Sequence, residues 1–167
     1  NMISVHPYGN ALCSCYATGA EILDALEHSV VNTAATAASD GKAVGESGGF
    51  LQVSGIKFTI DTSIPSSVKK DDKGLFVAVE GERRVKDVFV EENGEWVPID
   101  PEKTYTVACH NYLLQDMGDG YTMFTDNVYI LDKVLIDNQV IINYICDFLG
   151  GNVGTEYAEP QGRITVI

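Results

Sequence analysis

The spacing of apolar positions changes along the chain, and the changes predict a mixture of strands and helices. The segment ALCSCYATG, residues 11 to 19, predicts a strand that runs directly into a helix. Thr18 and Glu21 have the T-x-x-E spacing of a capping box, which satisfies free amides at a helix start. An amphipathic helix is therefore predicted over residues 20 to 30. Its apolar residues recur at helical spacing, at Ile22, Leu23, Leu26 and Val30.

Most other apolar positions alternate with polar ones, which is typical of strands with one buried face. Residues 50 to 61 predict one strand, or a strand pair broken at Gly55. Asn93-Gly94 predicts a type I′ hairpin turn, because both residues of this dipeptide tolerate positive φ. The other predicted strands cover residues 76 to 81, 84 to 92 and 95 to 100 on either side of that turn, 104 to 114, and 163 to 167.

Helical spacing returns over residues 137 to 149, where Asp137 is expected to cap a helix and Gly150-Gly151 to end it. Residues 32 to 47 are small and polar and predict a loop with at most one helical turn. The sequence contains no repeat and no linker long enough to divide domains. It therefore predicts a single α+β domain over residues 1 to 167, with a mixed β-sheet and a few helices.

The charge of the chain argues against one class of partner. Eleven Lys and Arg residues stand against 24 Asp and Glu residues, which gives a net charge of −13. A nucleic-acid partner requires clustered cations that release counterions, so we expect no nucleic-acid binding. We also expect no membrane span in this chain, because no apolar run reaches the roughly 18 to 20 residues that a span needs.

The residue types that carry most enzyme chemistry are present without the expected spacing. The four cysteines form no CxxC pair and are expected to be buried free thiols. The three histidines are scattered and match no metal-binding motif. Nucleophile elbows and phosphate-binding glycine loops are also absent. The sequence therefore predicts neither a catalytic residue nor a metal site in this chain.

Two short segments combine aromatic residues, glycine and small polar groups: HPYGN, residues 6 to 10, and HNYLLQDMGDGY, residues 110 to 121. Two aromatic faces can sandwich a planar base, and a carboxylate such as Asp119 can accept hydrogen bonds from ribose hydroxyls. The competing interpretation is ordinary: Asp-Gly favours a turn, and each tyrosine packs against the core.

Six segments in order resemble the C-terminal domain of the 5′-nucleotidase family. They are HPYGNAL, TGAEILDALEHSV, SGGFLQVSGIKF, DPEKTYTVACHNYLL, MGDGYTMF and EPQGRITV, and they extend over residues 6 to 166. In that family, an N-terminal metallophosphoesterase domain holds two divalent metal ions and the catalytic residues, and the C-terminal domain holds the nucleoside. The resemblance implies that the metallophosphoesterase domain is absent from this chain.

The resemblance also assigns roles to five residues. It places Tyr8 at the first position that stacks on the base and Asn10 at an asparagine that contacts the base. It places Gly48 in the wall of the base pocket, Tyr112 at the second stacking position and Asp119 at the aspartate that binds ribose.

Two details depart from the family pattern. Met117 replaces the first glycine of the GGDG motif. The spacing between Tyr112 and Asp119 is one residue longer than in some members, so Leu113 is the alternative for the second stacking position.

The resemblance implies the substrate-specificity domain of a metal-dependent 5′-nucleotidase that converts nucleoside phosphates to nucleoside and phosphate. The fragment alone is then expected to be inactive, and the whole protein to be extracellular, at the cell surface or periplasmic. The alternatives are a non-catalytic binding module of a multidomain surface protein, a UDP-sugar hydrolase and a 2′,3′-cyclic nucleotide phosphodiesterase.

Overall fold

The computed structural model describes residues 2–33 and 48–167. The helices are α1 (Met2–Val5), α2 (Gly19–Ser29), α3 (Asn111–Leu114) and α4 (Asp137–Asn143), and α4 continues as a π-helical turn over Tyr144–Phe148. The strands are β1 (Leu12–Thr18), β2 (Ile56–Ile60), β3 (Val68–Lys70), β4 (Phe76–Val79), β5 (Val85–Glu92), β6 (Glu95–Pro98), β7 (Thr104–His110), β8 (Tyr129–Leu131) and β9 (Ile164–Val166). These elements confirm the predicted α+β class.

The first sheet has the strand order β7-β1-β8 and is antiparallel. Its register pairs Leu12 with His110, so β1 begins where β7 ends. The pairing continues one residue further through side-chain and backbone bonds: the Ala11 amide donates to Asn111 Oδ1 at 2.7 Å, and the Asn111 amide donates to the Ala11 carbonyl at 2.8 Å. The segments before β1 and after β7 therefore lie side by side.

The second sheet has the order β6-β5-β2-β9, and β3 pairs with β4 in a separate two-stranded sheet. β5 and β6 form a hairpin whose turn residues Asn93 and Gly94 have φ values of +54° and +83°. Positive φ at both residues is the requirement of a type I′ turn, so the predicted hairpin is confirmed. β9 joins β2 in parallel and fixes the end of the chain to this sheet.

Helix α2 begins with the predicted capping box. The Glu21 amide donates to Thr18 Oγ1 at 3.3 Å, and the Thr18 amide donates to the Glu21 carboxylate at 2.7 Å. The first residue of the helix, Gly19, has no room for a side chain, because a Cβ there would lie 2.1 Å from the Asp100 carbonyl oxygen. α2 contacts β1, β4 and β5, and its apolar side chains share one core with those of β1 and β5.

Two charged side chains are buried in this core. The Glu27 carboxylate is wholly buried and accepts hydrogen bonds from the amides of Arg84 and Val85, each at 3.0 Å. The Arg84 guanidinium donates to the carbonyls of Val30 at 2.9 Å and Ile64 at 3.1 Å. Since a buried polar group without a partner is costly, these bonds fix the approach of α2 to the second sheet.

Two predicted strands are much shorter than the sequence indicated. Residues 50 to 55 are irregular, and Gly55, with φ of +72°, turns the chain into β2. The strand predicted over residues 104 to 114 ends at His110, since its partner β1 extends no further. The chain then turns into α3, whose first side chain, Asn111, takes the place of the next ladder bond.

The second predicted helix is confirmed, but its start differs from the expectation. Ile136 is the N-cap of α4, and Asp137 is its first residue rather than its cap. Gly150 and Gly151 end the helical segment with φ values of +63° and +86°, as predicted. Most of the loop predicted over residues 32 to 47 lies outside the described residues.

All four cysteines are free thiols, as predicted. Cys13 and Cys15 are fully buried on β1, and Cys109 is half-buried on β7. Cys146 is exposed, so its predicted burial is wrong. It lies on the helical segment after α4, and neither α4 nor that segment contains a buried residue.

Candidate functional site

The HPYGN segment forms a loop fixed to the start of α4. His6 Nδ1 lies 3.6 Å from Asp137 Oδ2, and the Asp137 amide donates to the Asn10 carbonyl at 2.8 Å. Tyr8, at the centre of the loop, is 87% exposed, whereas Asn10 is half-buried. The loop is therefore anchored at both ends and presents the Tyr8 ring to solvent.

The second motif, after α3, forms a tight turn with unusual backbone angles. Met117, Asp119 and Gly120 have φ values of +54°, +51° and +88°. Left-handed backbone suits glycine and is tolerated by aspartate, but it costs about 1 to 2 kcal/mol for other residues. This angle explains why the family pattern has glycine where this chain has Met117. The Asp-Gly pair thus forms a turn that directs the Asp119 carboxylate into solvent.

The Tyr112 ring lies on this turn. The Tyr112 hydroxyl donates to Asp119 Oδ1 at 3.4 Å, and the ring covers Gly118 so closely that a Cβ there would lie 2.4 Å from it. Tyr112 remains 41% exposed, whereas Leu113 is 7% exposed and belongs to the core. Of the two alternatives for the second stacking position, Tyr112 is thus the one that lies beside Asp119.

The glycine pair before Phe50 approaches the same turn. Gly49 is buried, and a Cβ on it would lie 2.8 Å from the Asp119 Cβ. Its carbonyl accepts a hydrogen bond from the buried Tyr121 hydroxyl. Gly48 is exposed, and a Cβ on it would contact nothing within 4 Å. A side chain at position 49 would therefore collide with Asp119, and Gly49 is a residue of this site that the sequence motifs did not indicate. The assignment of Gly48 to the base pocket stays a prediction.

The structure brings part of the predicted site into contact. Tyr112, Asp119 and Gly49 form one cluster, and we call it the Asp119 cluster. Tyr8 and Asn10 lie on the neighbouring loop at the same end of the first sheet, because β1 begins where β7 ends. Among the described residues, no hydrogen bond or ring contact joins the Tyr8 or Asn10 side chain to the cluster.

Two histidines border the site, and burial lowers the pKa of both. His110 lies at the end of β7 with its ring centroid 6.1 Å from that of Tyr112. Desolvation lowers its pKa, against the attraction of the Asp137 and Asp119 carboxylates. His28, on α2, is 3% exposed, and its Nε2 lies 2.9 Å from the Asp119 carbonyl oxygen. Desolvation also dominates in lowering the pKa of His28.

A cleft of about 350 Å³ is lined by residues of α2, of β7 and of the segment that precedes β2. Its walls include Leu51, Val107, Cys109 and Leu113, which give it a largely apolar character. None of the five predicted ligand-binding residues lines it. The cleft is therefore distinct from the Asp119 cluster.

Two further features of the described residues concern metals and membranes. Within residues 2–33 and 48–167, no group of three or more His, Cys, Asp or Glu side chains is arranged to hold a metal ion. None of the described helices has both the length and the apolar character required to cross a membrane.

Fold and site together define an α+β domain that presents aromatic and carboxylate groups on loops at one end of a sheet. The family model of the 5′-nucleotidase C-terminal domain matches residues 1–126 of the chain. The chain therefore belongs to this family, and the resemblance drawn from the motifs is confirmed.

Relatives with known names match almost the whole chain. The trifunctional nucleotide phosphoesterase protein YfkN of Bacillus subtilis is 30% identical over 166 residues, which cover 98% of this chain and 9% of YfkN. The cell wall protein Lmo0130 of Listeria monocytogenes is 27% identical over 161 residues, covering 96% of this chain and 16% of Lmo0130. The chain thus spans only a small part of these relatives.

A solved structure shows the same fold. The crystal structure of a 5′-nucleotidase precursor from Thermus thermophilus superposes with a TM-score of 0.73 at 28% sequence identity. The match covers 99% of this chain and 27% of that protein.

Proposed function

We propose that this chain is the nucleoside-binding domain of a phosphohydrolase that converts nucleoside phosphates to nucleoside and phosphate. The observation that carries the proposal is the contact of Tyr112 with Gly118 and Asp119, which places an aromatic face and a carboxylate side by side. An aromatic face can stack on a base, and a neighbouring carboxylate can accept from ribose hydroxyls. The names of YfkN and of the Thermus protein support a nucleotide substrate.

In this proposal the base lies between Tyr8 and Tyr112, Asn10 contacts its edge, and Asp119 accepts from the ribose. The backbone at Gly48 and Gly49 forms the adjoining wall. The charge of the chain agrees with a site for the base and the ribose. A domain of net charge −13 accommodates a neutral nucleoside more readily than a phosphate group.

We propose further that the reaction takes place with an N-terminal metallophosphoesterase domain of the same polypeptide. Two divalent metal ions in that domain would activate the attacking water and stabilise the leaving oxygen. This domain would carry the nucleotide to those ions by a hinge rotation against its partner. An extracellular, cell-surface or periplasmic location belongs to the same proposal, and the name of the Listeria relative, a cell wall protein, supports it.

The proposal is tested by comparing the 167-residue chain with the full-length protein, each incubated with AMP and Mn²⁺. We expect phosphate release from the full-length protein and none from the 167-residue chain. In the full-length protein, Tyr8→Ala should raise the KM for AMP by about 5- to 150-fold, since stacking of one base contributes about 1 to 3 kcal/mol. Its metal content should not change, because Tyr8 lies far from any metal ligand in this proposal.

Two results would contradict the proposal. One is metal-dependent phosphate release by the purified 167-residue chain, which would place catalysis within it. The other is unchanged AMP kinetics in the Tyr8→Ala protein, which would remove Tyr8 from the ligand site.

The glycine under the Tyr112 ring allows a second test. Gly118→Ala would place a Cβ 2.4 to 2.5 Å from three atoms of the ring, so the ring has to move. We expect the KM for AMP to rise by about tenfold, because a displaced ring loses part of its stacking energy. A double-mutant cycle with Tyr112→Ala provides the control. If Gly118 acts through the ring alone, adding Gly118→Ala to Tyr112→Ala should change KM no further.

A further inference from the structure

The backbone of Asp119 is attached to the core by one buried histidine. His28 lies on α2, 91 residues earlier in the chain, and its Nε2 is 2.9 Å from the Asp119 carbonyl oxygen. A carbonyl oxygen can only accept, so Nε2 carries the proton and donates. This bond connects the core helix α2 to the Asp119 cluster.

The neighbours of His28 determine both the orientation of its ring and the ring nitrogen that carries the proton. The Tyr121 and Phe76 rings meet the imidazole nearly at right angles, with centroids 4.7 and 5.7 Å away. His28 Nδ1 is buried and has no hydrogen-bond partner among the described residues. A proton on Nδ1 would therefore be buried without an acceptor, so the neutral tautomer with Nε2–H is the favoured form.

The turn rests directly on this ring. A Cβ on Gly120 would lie 3.2 Å from His28 Nε2 and 2.6 Å from the Gly74 carbonyl oxygen. Asp119 itself has left-handed backbone, with φ of +51° and ψ of +17°. Residues in such sparsely populated regions keep their conformation only when the surroundings hold them there. Because the carbonyl of Asp119 is held by His28, the direction of its Cα–Cβ bond is held as well.

We propose that His28 is a positioning residue for ribose recognition: by holding the Asp119 carbonyl, it directs the Asp119 carboxylate toward the ligand. This inference rests on the proposed function, in which Asp119 accepts from the ribose. His28 does not itself touch the ligand, since it is 3% exposed and lies beneath the turn.

The groups around His28 favour its neutral form at pH 7. The charged groups that act on the imidazole are Lys70 of β3 and the Asp119 carboxylate, and their effects oppose each other. The neighbouring Tyr121 hydroxyl stays uncharged, because burial raises its pKa. Burial lowers the pKa of His28 below its ordinary value of 6.5, so the imidazole is neutral at pH 7. The neutral imidazole with Nε2–H already supplies the donor, so the hydrogen bond to Asp119 does not require protonation of His28.

Three variants of the full-length protein, assayed with AMP, test the inference. His28→Leu removes the donor and should raise KM by about three- to tenfold with little change in kcat, the effect of one lost hydrogen bond. His28→Gln keeps an N–H donor at the reach of Nε2 and should restore KM to within about twofold. Val30→Ala, a fully buried change on the same chain segment, is the control for general destabilisation and should leave KM unchanged.

The recovery of KM in His28→Gln supplies a readout that a purely structural role would not move. Glutamine differs from imidazole in shape but keeps the donor, so a role in packing alone would leave KM in His28→Gln as high as in His28→Leu. If His28→Leu fails to fold, the comparison of His28→Gln with wild type decides the question. A KM in His28→Gln raised well beyond about twofold would overturn the inference.

The remaining outcomes separate this inference from the proposed function. If Asp119→Ala and Tyr8→Ala raise KM and His28→Leu does not, the positioning role is wrong and the nucleoside site stands. If Val30→Ala raises KM as much as His28→Leu, the effect is general destabilisation and the positioning role is again wrong. If none of these variants affects KM, the proposed function fails.

Discussion

Replacing Asp119 with alanine in the full-length protein should lower kcat/KM for AMP by about 10- to 150-fold, mainly through KM. A hydrogen bond to a charged group contributes about 1.5 to 3 kcal/mol, and each 1.4 kcal/mol is a factor of ten. The Asp119 side chain is exposed, so its removal leaves no cavity in the core. Alanine at this left-handed position also costs about 1 to 2 kcal/mol of stability, so the kinetics are compared at equal amounts of folded protein.

The controls for Asp119→Ala separate charge from backbone conformation. Asp119→Asn keeps a residue that tolerates left-handed φ but removes one acceptor oxygen, so its KM should lie between wild type and Asp119→Ala. Asp126→Ala changes the net charge equally at another exposed aspartate and should leave the kinetics unchanged. Equal KM values for Asp119→Ala and wild type would contradict the ribose contact.

Features that depend on chemistry between near neighbours in the chain were predictable from the sequence. The Thr18–Glu21 capping box and the Asn93-Gly94 hairpin each involve residues at most three positions apart, and both are confirmed. The Asp119-Gly120 turn belongs to this group, since its positive φ values follow from the dipeptide itself. Local signals of this kind need no knowledge of the tertiary fold.

Features that depend on distant contacts were not predictable in the same way. Gly49 meets Asp119, and His28 bonds its carbonyl, across 70 and 91 residues of sequence. Helical spacing placed His28 on α2 without indicating any partner for it. The end of β7 at His110 is also a tertiary effect, because the apolar pattern continues to Leu114 while the partner strand does not.

The choice between Tyr112 and Leu113 shows where sequence spacing stops being informative. Neighbouring residues in a strand point to opposite faces, so a strand over residues 104 to 114 would have assigned one of them to each face. In the helical turn α3 the two residues differ in burial instead. Leu113 packs in the core, and Tyr112 lies at the surface on Gly118. The ligand-binding roles of all five predicted residues remain predictions that the experiments above test.

Replacing Glu27 with alanine should strongly destabilise this domain. Its carboxylate accepts from the buried amides of Arg84 and Val85, and alanine leaves both donors without a partner. Each unsatisfied buried donor costs about 1 to 3 kcal/mol, so we expect the free energy of unfolding to fall by about 3 to 5 kcal/mol. Urea unfolding of the 167-residue chain, followed by the fluorescence of its single tryptophan, Trp96, measures this change.

The matched control lies one helical turn earlier. Asp24 forms an ion pair with Arg83, so it also connects α2 to the segment before β5. Unlike Glu27, both Asp24 and Arg83 are about one third exposed. An exposed ion pair contributes about 0 to 1 kcal/mol, so Asp24→Ala should barely change the free energy of unfolding. Equal losses for the two variants would show that burial of Glu27 is not what makes it important. A loss of stability for Glu27→Ala alone would assign the stabilisation to the two hydrogen bonds from the Arg84 and Val85 amides, which hold α2 against β5.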